Sequence, residues 1–206
     1  MNKRLLLIFT RNPELGKCKT RLAKTIGDQA ALDIYKFLLN HTVEITKNFK
    51  VDKWVYYSEE IWDRDVWSNQ VYVKKLQDGK ELGERMFNAF KEGFEQGYSE
   101  IIVIGSDLFD ISQTDLELAF QKFTQHDFVI GPALDGGYYL LGMRKMKEAI
   151  FQNKKWGTSS VLENTLTNLE QESVAMLDTR NDVDYYEDIK DIKAFDPFLK
   201  DFKLNN

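Results

Sequence analysis

The chain has 206 residues, 43% of them hydrophobic and 30% charged, and a formal net charge of −5. That length suits one domain with a substantial core, and the acidic balance excludes a general nucleic-acid binder, which needs a basic face. The single cysteine, Cys18, excludes an internal disulfide and a thiolate zinc cluster.

The opening, Met-Asn-Lys-Arg followed by Leu5-Leu6-Leu7-Ile8-Phe9, has the outline of a signal peptide. Its apolar run is too short, however, and it meets Arg11 with no small-residue cleavage site. No segment approaches the length needed to span a bilayer, so the expected location is the cytoplasm. The apolar run predicts a buried strand instead. Residues 10–22, T-R-N-P-E-L-G-K-C-K-T-R-L, bring four cations, Arg11, Lys17, Lys19 and Arg21, into eleven positions. Pro13 and Gly16 mark a turning loop rather than a helix. A cationic, glycine-containing loop at the exit of a central strand is where open α/β sheets hold phosphates; the competing reading is a solvated basic loop. Cys18, between two lysines, is either activated by them or a bystander.

Further along, residues 28–47 carry a helical stripe from Ala31 to Ile45, with Asp28 as cap. Residues 53–57 read as a strand, 58–69 as a short amphipathic helical turn, and 71–76 as a third strand. Leu82, Met86, Phe90 and Phe94, four apart, predict a core-facing helix. Residues 101–104 form the cleanest strand, ending in Gly105-Ser106-Asp107. A helix is expected near Ser112, with Asp115 completing an acidic capping pattern. Residues 128–133 and 138–143 flank Leu134-Asp135-Gly136-Gly137, a strong hairpin signal. A short helix over 145–152, a helix after Trp156-Gly157-Thr158, a strand at 174–177 and a C-terminal helix from Asp184 complete the pattern. Strands alternating with helices, without linker or repeat, predict one domain over residues 1–206. Its sheet should be Rossmann-like and mostly parallel, with helices on both faces and one antiparallel hairpin insertion.

Two later segments should reach the same edge as the basic loop. Asp107 directly follows a buried strand and suits a Mg²⁺ or Mn²⁺ ion that also grips phosphate oxygens, although Asp serves as readily as a helix cap; Asp110 is better read as a cap. Asp135 is a candidate second metal ligand or general base, while Gly136 and Gly137 would allow close backbone approach to a ligand. A plain hairpin turn is the alternative. Arg85 either reaches a phosphate or pairs with Glu81 or Glu84. Tyr138, Trp156 and Thr158 are candidates for an acceptor pocket, with packing or capping as the alternative for the last two. The sequence contains no G-x-G-x-x-G, no Walker loop and no arguable Ser-His-Asp set, and His41 and His126 lack metal-ligand spacing.

Together the motifs resemble a bacterial family of nucleotide-diphospho-sugar transferases of the glycosyltransferase-A type. The resemblance is carried by residues 9–22, L-G-E-R-M at 82–86, G-S-D at 105–107, G-P-A-L-D-G-G-Y-Y-L-L-G at 131–142, W-G-T at 156–158 and D-V-D-Y-Y-E-D at 182–188. It implies a nucleotide-diphospho-sugar transferase fold in which Arg11, Gly16, Lys17, Lys19, Arg21 and Arg85 hold nucleotide phosphates. Asp107 would bind the divalent cation, and Asp135 a second metal contact or the acceptor. Phe109 stands where the family pattern has a proline. The basic loop also resembles the K-T-R-L stretch of 2-phospho-L-lactate guanylyltransferases. The expected activity is glycosyl transfer from a nucleotide-diphosphate sugar to a small-molecule acceptor. The alternatives are nucleotidylyl transfer from an NTP to a phosphorylated small molecule, with pyrophosphate release, and a non-catalytic nucleotide-binding module.

Overall fold

The computed structural model describes residues 3–200 and residue 202; Met1 and Asn2 of the signal-like opening lie outside them. Among these residues seven strands form one sheet: β1 (Arg4–Thr10), β2 (Asp52–Tyr57), β3 (Val73–Leu76), β4 (Glu100–Gly105), β5 (Phe128–Pro132), β6 (Tyr138–Met143) and β7 (Val174–Met176). Their spatial order is β3-β2-β1-β4-β6-β5-β7. All pairings are parallel except those of β6, which runs against both β4 and β5. The expected hairpin is therefore built into the middle of the sheet, its second strand lying between β4 and β5. The helices are α1 (Thr20–Ile26), α2 (Asp28–Thr46), α3 (Leu82–Glu95), α4 (Gln113–Lys122) and α5 (Val161–Asn168).

Successive strand residues point to opposite faces, and both faces are covered, so the central strands are apolar throughout rather than alternating. Leu6 and Ile8 of β1 pack with Ile102 and Ile104 of β4 beneath Tyr35 and Leu39 of α2 and Phe120 of α4. Leu5 and Leu7 pack with Ile101 and Val103 against Met86 and Phe90 of α3. Each such side chain, fully buried, contributes about 1.5–3 kcal/mol. A third cluster docks Phe195 and Leu199 of the C-terminal segment onto Leu22 of α1 and Ile34 and Leu38 of α2.

Four local expectations need correction. The basic segment is not loop throughout: α1 begins at Thr20, separated from α2 by Gly27 at φ 89°. Residues 58–69 form bends rather than a helix. There the Asp65 carboxylate accepts from the Trp67 amide at 3.0 Å, from Lys74 at 2.8 Å and from the Tyr57 hydroxyl, and such local bonds compete with helical ones. The helix expected from Asp184 is two 3₁₀ turns, Tyr186–Asp188 and Lys193–Phe198. Asp188 accepts from the amides of Asp184 and Tyr185 at 2.9 and 2.6 Å, closing the first turn on itself. Finally, only Glu148–Phe151 of 145–152 is helical, as a 3₁₀ turn. Among the described residues no helix is long and apolar enough to cross a membrane.

Because every strand except β6 runs the same way, the exits of β1, β4 and β5 and the entry of β6 share one edge. From β1 the sheet continues through β2 on one side and β4 on the other, the strand-order reversal at which open α/β sheets form a ligand crevice.

Candidate active site

The β1 and β4 exits are joined by a buried hydroxyl cluster. The Ser106 hydroxyl donates to Thr10 Oγ1 at 2.9 Å, and the Tyr35 hydroxyl from α2 lies 3.3 Å from Ser106 Oγ. The same Tyr35 oxygen accepts the Arg11 amide at 2.9 Å and donates to the Arg11 carbonyl at 3.2 Å. Burial raises the Tyr35 pKa above its ordinary value despite these bonds, so the hydroxyl stays neutral and able to donate. The network fixes Arg11 and Ser106, and with Ser106 the next residue, Asp107.

Lys19 precedes α1 in the left-handed region, at φ 50° and ψ 42°. Its side chain is only 4% exposed, and Nζ donates to Asp107 Oδ2 at 2.8 Å and to Asp184 Oδ1 at 3.2 Å. Arg21, one turn into α1, donates from Nη1 to Asp184 Oδ2 at 3.0 Å. Burial works to lower the Lys19 pKa, but the two carboxylates outweigh it and raise it above the usual lysine range. Desolvation by the surrounding protein likewise pushes Asp107 upward, and Lys19 overcomes it and holds the carboxyl below the usual range. An ammonium at this depth is tenable only because both partners are present.

Beyond this pair the crevice opens into a cavity of about 250 Å³ whose lining is mostly apolar and includes three aspartates. Asp107, Asp135 and Asp182 supply its acids, and Phe9, Tyr138 and Trp156 are among its aromatic residues. Burial, followed by repulsion from Asp184, Asp135 and Asp107, pushes Asp182 up to about 6. The Tyr138 hydroxyl and the Trp156 indole nitrogen are enclosed without a hydrogen-bond partner among the described residues. Gly136, at φ 87°, closes the β5–β6 turn against the backbone before α5: a Cβ there would lie 2.3 Å from the Ser159 carbonyl. Its own carbonyl accepts the Leu162 amide at 2.9 Å, tying the turn to α5.

The structure thus brings together Lys19, Arg21, Asp107, Asp135, Gly137, Tyr138, Trp156 and Thr158. Other candidates lie elsewhere. Lys17 is turned outward to Glu14 at 2.7 Å and Glu59 at 3.8 Å. Gly16, at φ 73°, makes the exposed bend beside it. Arg85 pairs with neither Glu81 nor Glu84: Nε donates to the Gly79 carbonyl at 2.9 Å and Nη1 to Gln77 at 3.3 Å, bracing the loop before α3. The Arg11 side chain lines a different cavity, although its charge helps hold Asp107 ionised. Cys18 is buried, and burial raises its pKa, so the activated-thiol reading does not hold. Asp110 is not a cap: it accepts from Arg180 at 3.1 Å, while Ser112 and Asp115 form the α4 capping box. Thr158 donates to the Lys155 carbonyl at 2.7 Å and caps nothing.

Asp182 was not among the sequence candidates. The signal is an apolar residue between two aspartates in D-V-D: Val183 is buried in an irregular segment between the partly buried Asp182 and Asp184. Phe109, in place of the family proline, packs against Phe195, His41 and Phe37 with ring centroids 5.0, 5.1 and 5.7 Å away. The Asp107 loop is thereby anchored through an aromatic cluster instead of a rigid ring.

Among the described residues no three His, Cys, Asp or Glu side chains are grouped to hold a metal ion by themselves. The crevice nevertheless fits Mg²⁺ or Mn²⁺. Its donors are carboxylate oxygens, its negative charge is in excess (as the raised Asp182 pKa reports), and Mg²⁺ takes one or two carboxylates and completes its shell with substrate phosphates and water.

Comparison with known structures places this geometry among nucleotide-handling folds. A protein from Desulfovibrio desulfuricans G20, provisionally named a nucleotide-diphospho-sugar transferase, superposes with a TM-score of 0.87 at 28% identity, covering 99% of this chain and 96% of its own. A cytidylyltransferase from Leptospira borgpetersenii gives 0.61 at 14% identity, with 100% and 95% covered. A Mycobacterium tuberculosis H37Rv protein, Rv0371c, solved in complex with manganese, gives 0.57 at 10% identity, with 92% and 97% covered. The last two likenesses establish the fold alone. No curated protein sequence matches the chain. Residues 42–158 match the family described as "Uncharacterized protein conserved in bacteria (DUF2064)", more than half of the chain, and the protein belongs to that bacterial family.

Proposed function

We propose that this chain is a divalent-cation-dependent transferase that takes a nucleotide-diphosphate sugar and passes the sugar to a small-molecule acceptor. The observation that carries the reading is the meeting of Lys19 and Arg21 with Asp107, Asp135 and Asp182 across one crevice at the sheet's carboxyl edge. The name of the Desulfovibrio neighbour, similar over nearly all of both chains, supports a transferase acting on a nucleotide-activated donor.

The electrostatics support a cation requirement. Asp107, Asp135, Asp182 and Asp184 outnumber Lys19 and Arg21, so the crevice alone would repel a diphosphate. Asp107 and Asp135 would hold Mg²⁺ or Mn²⁺ together with substrate phosphates, and the cation when bound would offset the charge building on the departing diphosphate. Arg21, half exposed and engaged through Nη1, keeps donors free for a phosphate. Lys19 holds Asp107 ionised and keeps Asp184 in place. Asp182, with its pKa near 6, is mostly ionised at neutral pH yet basic enough to accept a proton from an acceptor hydroxyl. Phe9, Tyr138 and Trp156 exclude water from the acceptor side.

A second reading, nucleotidylyl transfer from an NTP, is favoured by the additional charge that Arg11 directs at Asp107 and by the cytidylyltransferase neighbour. Product analysis separates the two. Incubated with nucleotide sugars and nucleoside triphosphates in Mg²⁺ or Mn²⁺, a glycosyl transferase releases nucleoside diphosphate and a nucleotidylyltransferase releases pyrophosphate. Asp107→Ala is expected to abolish the metal-dependent rise in melting temperature that a bound nucleotide produces. If that rise persists, Asp107 is not a ligand of the cation.

A further inference from the structure

We propose that the chain carries a second ligand site, separate from the crevice, for a small phosphate-bearing molecule with an apolar part. A cavity of about 320 Å³ lies between the β1 exit, α2 and the bends that follow β2, within the size range of small-molecule sites. Three cations line it: Arg11 from the first segment, Lys36 from α2 and Arg64 from the third. None of the three side chains has an ion-pair or hydrogen-bond partner among the described residues. The one acid in the lining, Asp65, is already neutralised by Lys74 at 2.8 Å. In a chain of net charge −5, three cations without a bonded partner around one hollow are not a by-product of composition.

The walls are built rather than incidental. Asn12 donates to the Glu60 carbonyl at 2.9 Å and accepts the Glu60 amide at 3.4 Å, stitching the post-β2 bends to the β1 exit. Trp67 is buried edge-on to Tyr72, with ring centroids 5.2 Å apart. Trp62 donates to Glu60 at 2.7 Å, which sets its indole beside the opening. Two guanidinium forks and an ammonium suit phosphate oxygens, and Trp62 with Leu39 supplies an apolar surface for the rest of the ligand. Because the Arg11 charge also helps keep Asp107 ionised, occupancy of this site would be felt in the crevice.

The test uses the full chain in a chelating, metal-free buffer with phenyl phosphate as probe, measured by titration calorimetry. Wild-type protein should bind it, and Arg64→Glu and Lys36→Glu should each weaken binding at least about tenfold, as loss of a charge-assisted hydrogen bond implies. Both positions are exposed, so the variants should melt with the wild type. Asp107→Asn should retain binding, strengthened if anything by loss of the negative charge that attracts Arg11, which separates this site from the crevice. No binding, unchanged binding in both charge-reversal variants, or loss of binding in Asp107→Asn would each overturn the proposal.

Discussion

Two lysines are buried at opposite ends of the sheet, and they are accommodated in opposite ways. Lys53, at the amino end of β2, is satisfied by neutral oxygens: Nζ donates to the carbonyls of Phe49 at 2.7 Å and Val51 at 2.8 Å. Burial lowers its pKa. Lys19, at the carboxyl edge, is held by carboxylates, and its pKa is raised. Carbonyls are fixed dipoles that carry no net charge. Carboxylates are charges that a competing cation or an arriving phosphate can redistribute. The first arrangement closes a structural gap; the second leaves an edge whose balance a ligand can change, consistent with a binding crevice at that end.

The largest test of this contrast is Lys19→Met. It leaves Asp107 without its ammonium partner and Asp184 with Arg21 alone, at an expected loss of about 2–4 kcal/mol. That falls below the full value for a buried pair because the two aspartates keep 42% and 30% exposure. Calorimetric unfolding checks it, and a loss no greater than that of Lys53→Met would erase the distinction between the two ends.

Asp182→Asn is next in size. The folded pKa lies near 6 and the unfolded value at 3.8, so the folded state holds the extra proton between these values. Wild-type stability therefore falls as pH rises through that window and stays reduced above it. Removing the charge should stabilise the protein by about 1–2 kcal/mol above pH 6, discounted for the side chain's partial exposure, and should change nothing below about pH 4. Loss of turnover in the same variant, with a wild-type rate that rises through pH 6, would support Asp182 as proton acceptor. An unchanged rate would leave it electrostatic only.

Lys53→Met should cost least, about 1 kcal/mol, because the lost hydrogen bonds are offset by relief of a desolvated charge. The pH dependence has the opposite sense to that of Lys19. With its folded pKa depressed, Lys53 destabilises while it is charged in the fold, so the wild type gains stability as pH climbs toward 10.5. Lys19 stabilises throughout that range and loses its contribution only as pH rises through its raised folded pKa. Parallel melts of both variants against pH resolve the two trends.

The contrast also explains what could be read in advance. Strand exits are local: an apolar run followed by Arg11, or by Ser106 and Asp107, announces the edge, and the alternation of strands and helices determines which edge it is. Among Lys17, Lys19 and Arg21, however, composition does not discriminate. The left-handed turn at Lys19 and the start of α1 send Lys19 and Arg21 inward and leave Lys17 to Glu14. Asp182 was missed because its environment is tertiary, assembled from residues of the β4 and β5–β6 segments. The expected helix over 58–69 failed for a related reason: the pattern of Trp62, Val66 and Trp67 is helical, but the Asp65 side chain draws in partners from β2 and β3.

Phe109 carries a consequence for how the edge keeps its shape. Two residues beyond Asp107, it leans on Phe195, which in turn is seated on α2. The turn Lys193–Phe198 thus acts as a backstop behind the carboxylate: the loop that carries Asp107 is steadied from the rear by a segment far from it in sequence. Any change that loosens the packing of Phe195 on α2 is therefore transmitted through Phe109 to the aspartate at the front.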